Sequence, residues 1–562
     1  MRNHRRRAVA VAATVIALVL SGCGGGGEDA PATEEETGAT LKTQDINAQD
    51  RNTLAKGGEV RIGTEDLAAY WNPMHVDGNQ ADWSKIRELI LPQPFRFDDK
   101  GLPTPDPDYV TEMTETNADP TTVNFKLNPE AVWGDGSPID ADDWTAMWQA
   151  CNGEDTKFQC VDTGPYSQVA SITTGADKFD VTVTFKDKYP DWTQPWWPIV
   201  RAESIANPTV FNTGWKALKN EWLAGPFKFD NYNATEKVLT LVPNDKWWGE
   251  EPLLDRVVYR EIAADALAAS FANNEIDVFE IGVDADAFTR AKAVAGAAVR
   301  QATGPDWRHI TFNSTAGLLK DKAIRQAIVR GLDRGAIGAS DLAGIEGYTP
   351  EPLNNHILLS TQEGYEDVAA RTGLDYDPEK AKADLEGAGW VPGADGIRAK
   401  DGQPLAVKFM QLTGIAVSEN EALQVQNQLK EIGIRVDIVD VPVDQFSTTL
   451  SKGEFELIGF SWIGTPYPFL GVSQIYGSTS ESNYANLKMP EVDKNAELLT
   501  TETDKAARIK LANDTSAIIW ENVHTLPLYQ RPQNWATKAN LANYGSFGLG
   551  LSEWENVGYQ QQ

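Results

Sequence analysis

From residue 58 onward, apolar positions recur with two spacings, which predict short strands and amphipathic helices in turn. Glu59-Val60-Arg61-Ile62-Gly63 alternates with period two and ends in glycine, the pattern of a half-buried strand entering a turn. Val123, Phe125 and Leu127 alternate in the same way, as do Val181, Val183 and Phe185, so residues 100–220 read as sheet-rich. A helix is predicted from Asp140 through Trp144 and Trp148, one turn apart. Ala323, Ile324, Ala327, Ile328 and Leu332 share one face of another, over 322–334. Asp377-Pro378 opens a third, with a capping acid ahead of proline at the first position. Ser418 and Glu421 have capping-box spacing before the apolar stripe Ala422, Val425, Leu429 and Ile432. Gly433 stops that helix, and Ile434, Val436 and Ile438 then alternate as a strand. A helical stretch over 443–452 leads to a strand over 455–462. This order predicts a crossover between neighbouring parallel strands. It puts the uncharged segment FSWIGTPYPFL (460–470) at a strand's carboxyl end, where open α/β sheets bind ligands.

The amino terminus is patterned differently. Arg2, Arg5, Arg6 and Arg7 precede an uncharged apolar stretch from Ala8 to Leu20, the make-up of a signal peptide and short for a membrane span. Leu20-Ser21-Gly22-Cys23 looks like a bacterial lipobox, which predicts cleavage after residue 22 and lipidation of Cys23. Residues 23–57 are rich in glycine, alanine, threonine and acid, and read as a flexible tether. No spanning run follows Leu20, so the expectation is a body anchored to the outer side of the cell membrane by lipid alone.

Composition narrows the partners. The 562 residues are 41% hydrophobic, enough for several core-sized units. A formal net charge of −31 excludes nucleic acid, which needs a basic surface, and keeps a monomer soluble. Eighteen tryptophans are enough to place some against a ligand as well as in the core. With Cys23 lipidated, Cys151 and Cys160 remain; outside the cytoplasm such a pair most simply forms one disulfide, two buried thiols being the alternative. Their spacing is no metal signature, and the scattered histidines supply none.

No catalytic motif emerges. Gly459-Phe460-Ser461-Trp462-Ile463 fails the G-x-S-x-G pattern at its last position. No H-E-x-x-H, phosphate-binding loop or dinucleotide fingerprint is present. Histidines 75, 309, 356 and 524 stand alone, and Gly134-Asp135-Gly136 reads as a tight turn. A secreted hydrolase is the alternative of a different class; no catalytic residue, metal or cofactor is assigned.

Residues 123–144, VNFKLNPEAVWGDGSPIDADDW, resemble a signature of the family 5 extracellular solute-binding proteins, the dipeptide, oligopeptide and nickel class serving ABC importers. Trp133, Asp135-Gly136, Pro138, Ala141 and Asp143 match; Asp140 stands where the family has threonine, and both residues cap helices. Ala224-Gly225-Pro226-Phe227 resembles the family's G-x-GPY turn, and residues 244–256 its N-P-x-Y-W-G…P-x-L-D-x-I segment. Ile276-Asp277-Val278, then Phe312-Asn313 followed by Ile324-Arg325-Gln326-Ala327-Ile328, continue the matches in order, which run from about 58 to 535.

The resemblance implies an α/β, type II periplasmic-binding-protein fold: two lobes joined by two hinge strands, with an extra sheet-rich domain inserted in lobe one. Lobe one is expected at 58–80, 218–306 and 523–562, the insert at 81–217 and lobe two at 307–522, with hinge crossings near 307–313 and 524–530. The implied function is capture of short peptides for an ABC permease. Oligosaccharide is the alternative, because Trp462 and Tyr467 suit sugar faces; a metal chelate or haem follows. Peptide-binding members pair the ligand's ammonium with an aspartate a few residues past a tryptophan. Trp462 matches that tryptophan, but Gly464 and Thr465 stand at the acid's place, so Glu65 and Asp66 become candidates to replace it. The expected ligand contacts are Trp462, Ile463, Gly464 and Thr465; Tyr70, Trp71 and Asn72 after the first strand; Asn483 and Tyr484; Phe312 and Asn313 by the hinge; and Glu65.

Overall fold

The computed structural model describes residues 42–67 and 70–561; the signal peptide, Cys23 and the first part of the predicted tether lie outside the described residues. Ten strands form one sheet: β1 (Glu59–Thr64), β2 (Phe227–Asn233), β3 (Val238–Pro243), β4 (Arg256–Glu261), β5 (Val278–Glu280), β6 (Ala297–Phe312), β7 (Ala406–Leu412), β8 (Arg435–Val441), β9 (Leu457–Ile463) and β10 (Thr525–Lys538). Their order is β8-β7-β9-β6-β10-β5-β1-β4-β3-β2. β6 and β10 are long enough to belong to both lobes. They pair antiparallel from Ala297↔Lys538 to Thr311↔Thr525, and the register breaks between Thr303 and Trp307. Before the break β10 also carries β5; after it β6 also carries β9, from Asp306↔Ile463 to Phe312↔Leu457. Pro305 has no N–H for the ladder, so the strand loosens where the lobes meet. The crossing thus falls at 303–307 and 530–532, at the edge of the predicted spans.

Parallel β1, β4 and β5 build lobe one, and parallel β7, β8 and β9 build lobe two. The insert is a four-stranded antiparallel sheet between Val110 and Phe185, flanked by α2 (Ala141–Cys151), whose Asp140 and Asp143 form a reciprocal cap. One apolar cluster runs from Val60 and Ile62 of lobe one through Phe125, Trp144 and Trp196 of the insert, so the two share a core. Cys151 and Cys160 are bonded, which decides between disulfide and free thiols. Lobe two has its own core around Ile324, Ile328, Val425 and Leu429, packed by α3 (Lys322–Gly331) and α5 (Ala416–Glu431). Among the described residues no helix is long and apolar enough to cross a membrane.

Three expectations need correction. The tether does not reach residue 57: Asp45 bridges Ser546, and Leu54–Ala55 pairs with Gln560–Tyr559. Backbone pairing and one buried leucine hold this polar stretch, neither of which composition reveals. β8 and β9 are not neighbours; β7 lies between them, parallel to both. Ser418 is not a cap. Helix α5 starts two residues earlier, the Ser418 hydroxyl accepts from the Leu412 N–H, and Glu421 faces inward.

Candidate functional site

The carboxyl ends of β1 and β5 from lobe one, and of β9 from lobe two, converge on the crossing. On the lobe-two side, strand register sets an aromatic wall: Phe460 pairs with His309 and Trp462 with Trp307, all with the same parity and hence on one face. The His309 and Phe460 rings meet edge to face at 4.2 Å. His309 lies parallel to Trp462 (6.2 Å, 2°), and Trp462 parallel to Tyr484 (6.0 Å, 5°). Burial, then the neighbouring Arg308, push the His309 imidazole well below its ordinary pKa, so it is neutral. Arg308 points to the other face and forks onto Glu421 of α5, at 2.7 and 2.6 Å. Asp341, on α4 (Arg334–Asp341), accepts from Asn420 at 2.7 Å and from the Tyr529 hydroxyl at 3.1 Å. Burial and the Glu421 charge raise its pKa far above the carboxylate range.

The lobe-one side carries charge. Lys85, on α1 (Ala81–Ile90), lies 2.5 Å from Glu280 and 3.5 Å from Asp82, and 4.8 Å from the Trp535 ring centre. Desolvation works against its charge, but Glu280 and Asp82 outweigh it and leave the pKa raised. Asp306, opposite Ile463 across the β6–β9 pair, is 3.8 Å from Arg531. Desolvation raises its pKa despite Arg531, yet 35% of its side chain meets solvent. Glu65, just past β1, is raised by desolvation and then by Asp82 and Glu280. Four carboxylates (Glu65, Asp82, Glu280, Asp306) therefore face two cations (Lys85, Arg531). An added cation would lower the pKa of every carboxylate it approached, which is the same as binding favourably.

Of the expected contacts, Trp462, Ile463, Gly464, Thr465, Tyr484 and Glu65 lie at this convergence. Ile463 is 63% exposed. The Gly464 N–H donates to Pro305 at 2.9 Å; a Cβ there would stand 2.9 Å from that carbonyl oxygen and 2.6 Å from Leu359, so glycine is required. Thr465 is exposed, and its carbonyl accepts from Gln362 at 2.9 Å. The other expected residues lie in packed or internally bonded surroundings. Tyr70, Trp71 and Asn72 are buried: the first and last donate to the Phe211 carbonyl, and Trp71 packs edge-on to Trp83. Asn483 accepts from His524 at 2.9 Å and donates to Gly477 and Leu487. Phe312 is core, and Asn313 donates to Gly453 and Phe455. Asp66 is exposed. Tyr467, expected against a sugar face, is buried in the lobe-one core instead. Sequence reading missed Asp306, Glu280, Asp82, Lys85 and Arg531. The adjacency of Asp306 to Trp307 in the predicted hinge was the available signal.

Residues 104–484 match the family described as bacterial extracellular solute-binding proteins, family 5 Middle. The oligopeptide-binding protein OppA of Mycobacterium tuberculosis is 34% identical over 557 residues, covering 98% of this chain and 93% of that one. A solved structure of the periplasmic EDTA-binding protein EppA superposes with a TM-score of 0.84 at 22% identity, covering 94% of this chain and all of the other. The structure of the oligopeptide-binding protein AppA of Bacillus subtilis with a nonapeptide gives 0.72 at 21% identity, covering 90% and 100%.

Proposed function

The chain belongs to family 5 of the bacterial extracellular solute-binding proteins, and from that membership we propose that it captures short peptides and delivers them to the permease of an ABC importer. The family is one of extracytoplasmic binding proteins of ABC importers and not of enzymes. The finer reading is a monomer anchored by lipid at Cys23, with lobe one at 58–80, 218–306 and 523–562, the insert at 81–217 and lobe two at 307–522. A peptide lies across the crossing between Trp462 and Tyr484 on one side and Glu65 and Glu280 on the other, beside the cross-strand neighbours Ile463 and Asp306. Touching both lobes, it favours their closed arrangement by its differential affinity.

The observation that carries the peptide reading is the excess of carboxylates at the crossing. The segment after Trp462 has no acid, but Asp306 stands opposite Ile463 on the adjoining strand, partly open to water and only loosely paired with Arg531. In this reading Asp306, with Glu280 beside it, receives the ligand's ammonium. The full-length similarity to an oligopeptide-binding protein supports the same class. The oligosaccharide reading loses ground, because Tyr467 is buried and Trp462 is already flanked by His309 and Tyr484.

Calorimetry with a free and an N-acetylated alanine oligopeptide tests the assignment. Asp306→Asn is expected to weaken the free peptide about 5-fold, the scale of a partly exposed ion pair, and to leave the acetylated one unchanged. Equal effects on both peptides would remove Asp306 from this role.

A further inference from the structure

Lobe two also touches the insert away from the crossing, and we infer that this contact is a clasp holding the lobes together without a ligand. Arg508, on α6 (Lys505–Asn522) of lobe two, forks onto Asp191 of the insert: Nη1 lies 3.0 Å from Oδ1, and Nη2 bonds Oδ2. Each side chain is 9% exposed, so two charges have left water across a lobe boundary. Nε of Arg508 donates to Leu499 at 2.7 Å, and its guanidinium lies 4.3 Å from the Phe469 ring centre. The fork is thus aimed by lobe two before it meets its partner.

Beside it, a strap of lobe two packs into the insert. The Tyr467 hydroxyl is 2.9 Å from that of Thr193, and its ring stands edge-on to Phe97 at 6.0 Å, itself 4.9 Å from Trp197. Pro466 presses on Gly101, whose φ of +82° suits glycine and where a Cβ would come within 3.0 Å of the Pro466 Cα. An ion pair and an aromatic plug from lobe two therefore land on one patch of the insert. Neither contact can survive separation of the lobes.

The two parts of the clasp respond differently to substitution. When the lobes part, both ions regain water, so the intact pair contributes modestly. Neutralising one ion leaves the other buried and unpaired in the closed state alone, which disfavours closure strongly. With the clasp intact, a ligand meets a body already biased towards closure and loses little affinity to an unpopulated state. Release of the strap then accompanies every exchange of ligand.

The test measures distances between spin labels at Glu115→Cys in the insert and Glu491→Cys in lobe two, in the full chain carrying Cys23→Ser and stripped of ligand in mild denaturant. The parent is expected to show one short, narrow population. Asp191→Asn should shift the closed-to-open ratio by on the order of 100-fold, giving a longer, broader distance. Thr193→Val, which removes only the hydroxyl contact of Tyr467, should shift it about 3-fold. A ligand-free parent already at the long distance would overturn the clasp, as would single variants indistinguishable from the parent. Should Asp191→Asn fail to fold, Thr193→Val decides alone. All readings are taken without ligand, so they stand or fall separately from the peptide assignment.

Discussion

On the lobe-one side of the crossing, Lys85 and Glu280 keep 30% and 40% of their side chains in solvent; on the lobe-two side, Arg308 and Glu421 are bonded to each other beneath the sheet, the acid with no exposure at all. The surfaces presented differ accordingly, carboxylates on one side and Trp462 and Tyr484 on the other. Partly exposed pairs are worth little, so those of lobe one can rearrange when a ligand's charge arrives. The buried pair of lobe two ties β6 to α5 and fixes the aromatic wall above it. One face can adapt while the other acts as a template.

The largest effect should come from breaking the template. Glu421→Gln with Asp341→Asn leaves Arg308 buried without a carboxylate and is expected to cost about 3–5 kcal/mol of stability, read from thermal or denaturant unfolding. Glu421→Gln alone should cost less, because Asp341 remains close enough to favour the Arg308 charge and, although burial still raises its pKa, is relieved of the Glu421 charge. If the single and double variants were equally unstable, Asp341 would not be giving that support.

The adaptable face should show itself in pH. Asp306 and Glu65 have raised pKa values in the fold, so they take up protons as pH falls from neutral through that raised range. Affinity for a free-ammonium peptide should drop about 10-fold over that window, while the acetylated peptide changes little. Folding has the opposite sign: a carboxylate raised by desolvation disfavours the folded state when ionised, so these two groups contribute stability below their unfolded values and lose it as pH rises. Loss of binding in mild acid should therefore come without loss of fold, which calorimetry and circular dichroism on the same samples distinguish.

The smallest effect blurs the contrast between the faces. Thr465→Asp puts an exposed carboxylate on the lobe-two side and should tighten the free peptide about 3-fold. No gain would mean that the lobe-one acids already satisfy the ammonium.

What could be read from the chain depended on range. β1, α3 and β8 follow from periodicity, and the capping of α2 from the motif that holds Asp140 and Asp143. Roles set by distant partners did not. Glu421 sits 113 residues from Arg308, so its spacing to Ser418 suggested a cap in place of a buried ion. Tyr70, Trp71 and Tyr467 are aromatics after strands, and such residues read alike whether they meet a ligand or the other lobe's core. The segment 460–470 combines both outcomes: Trp462 lies at the crossing, and Tyr467, five residues on, belongs to the interlobe contact. Asp306 and Glu280 come together only because the ends of β5 and β9 meet the middle of β6.

The central claim, peptide capture, is tested most directly by what travels with the protein. Native mass spectrometry of the chain purified without added ligand, followed by denaturing extraction, should show a ladder of masses above the bare protein and release short peptides of mixed sequence. Release of sugars or a chromophore alone, with no peptide, would contradict it.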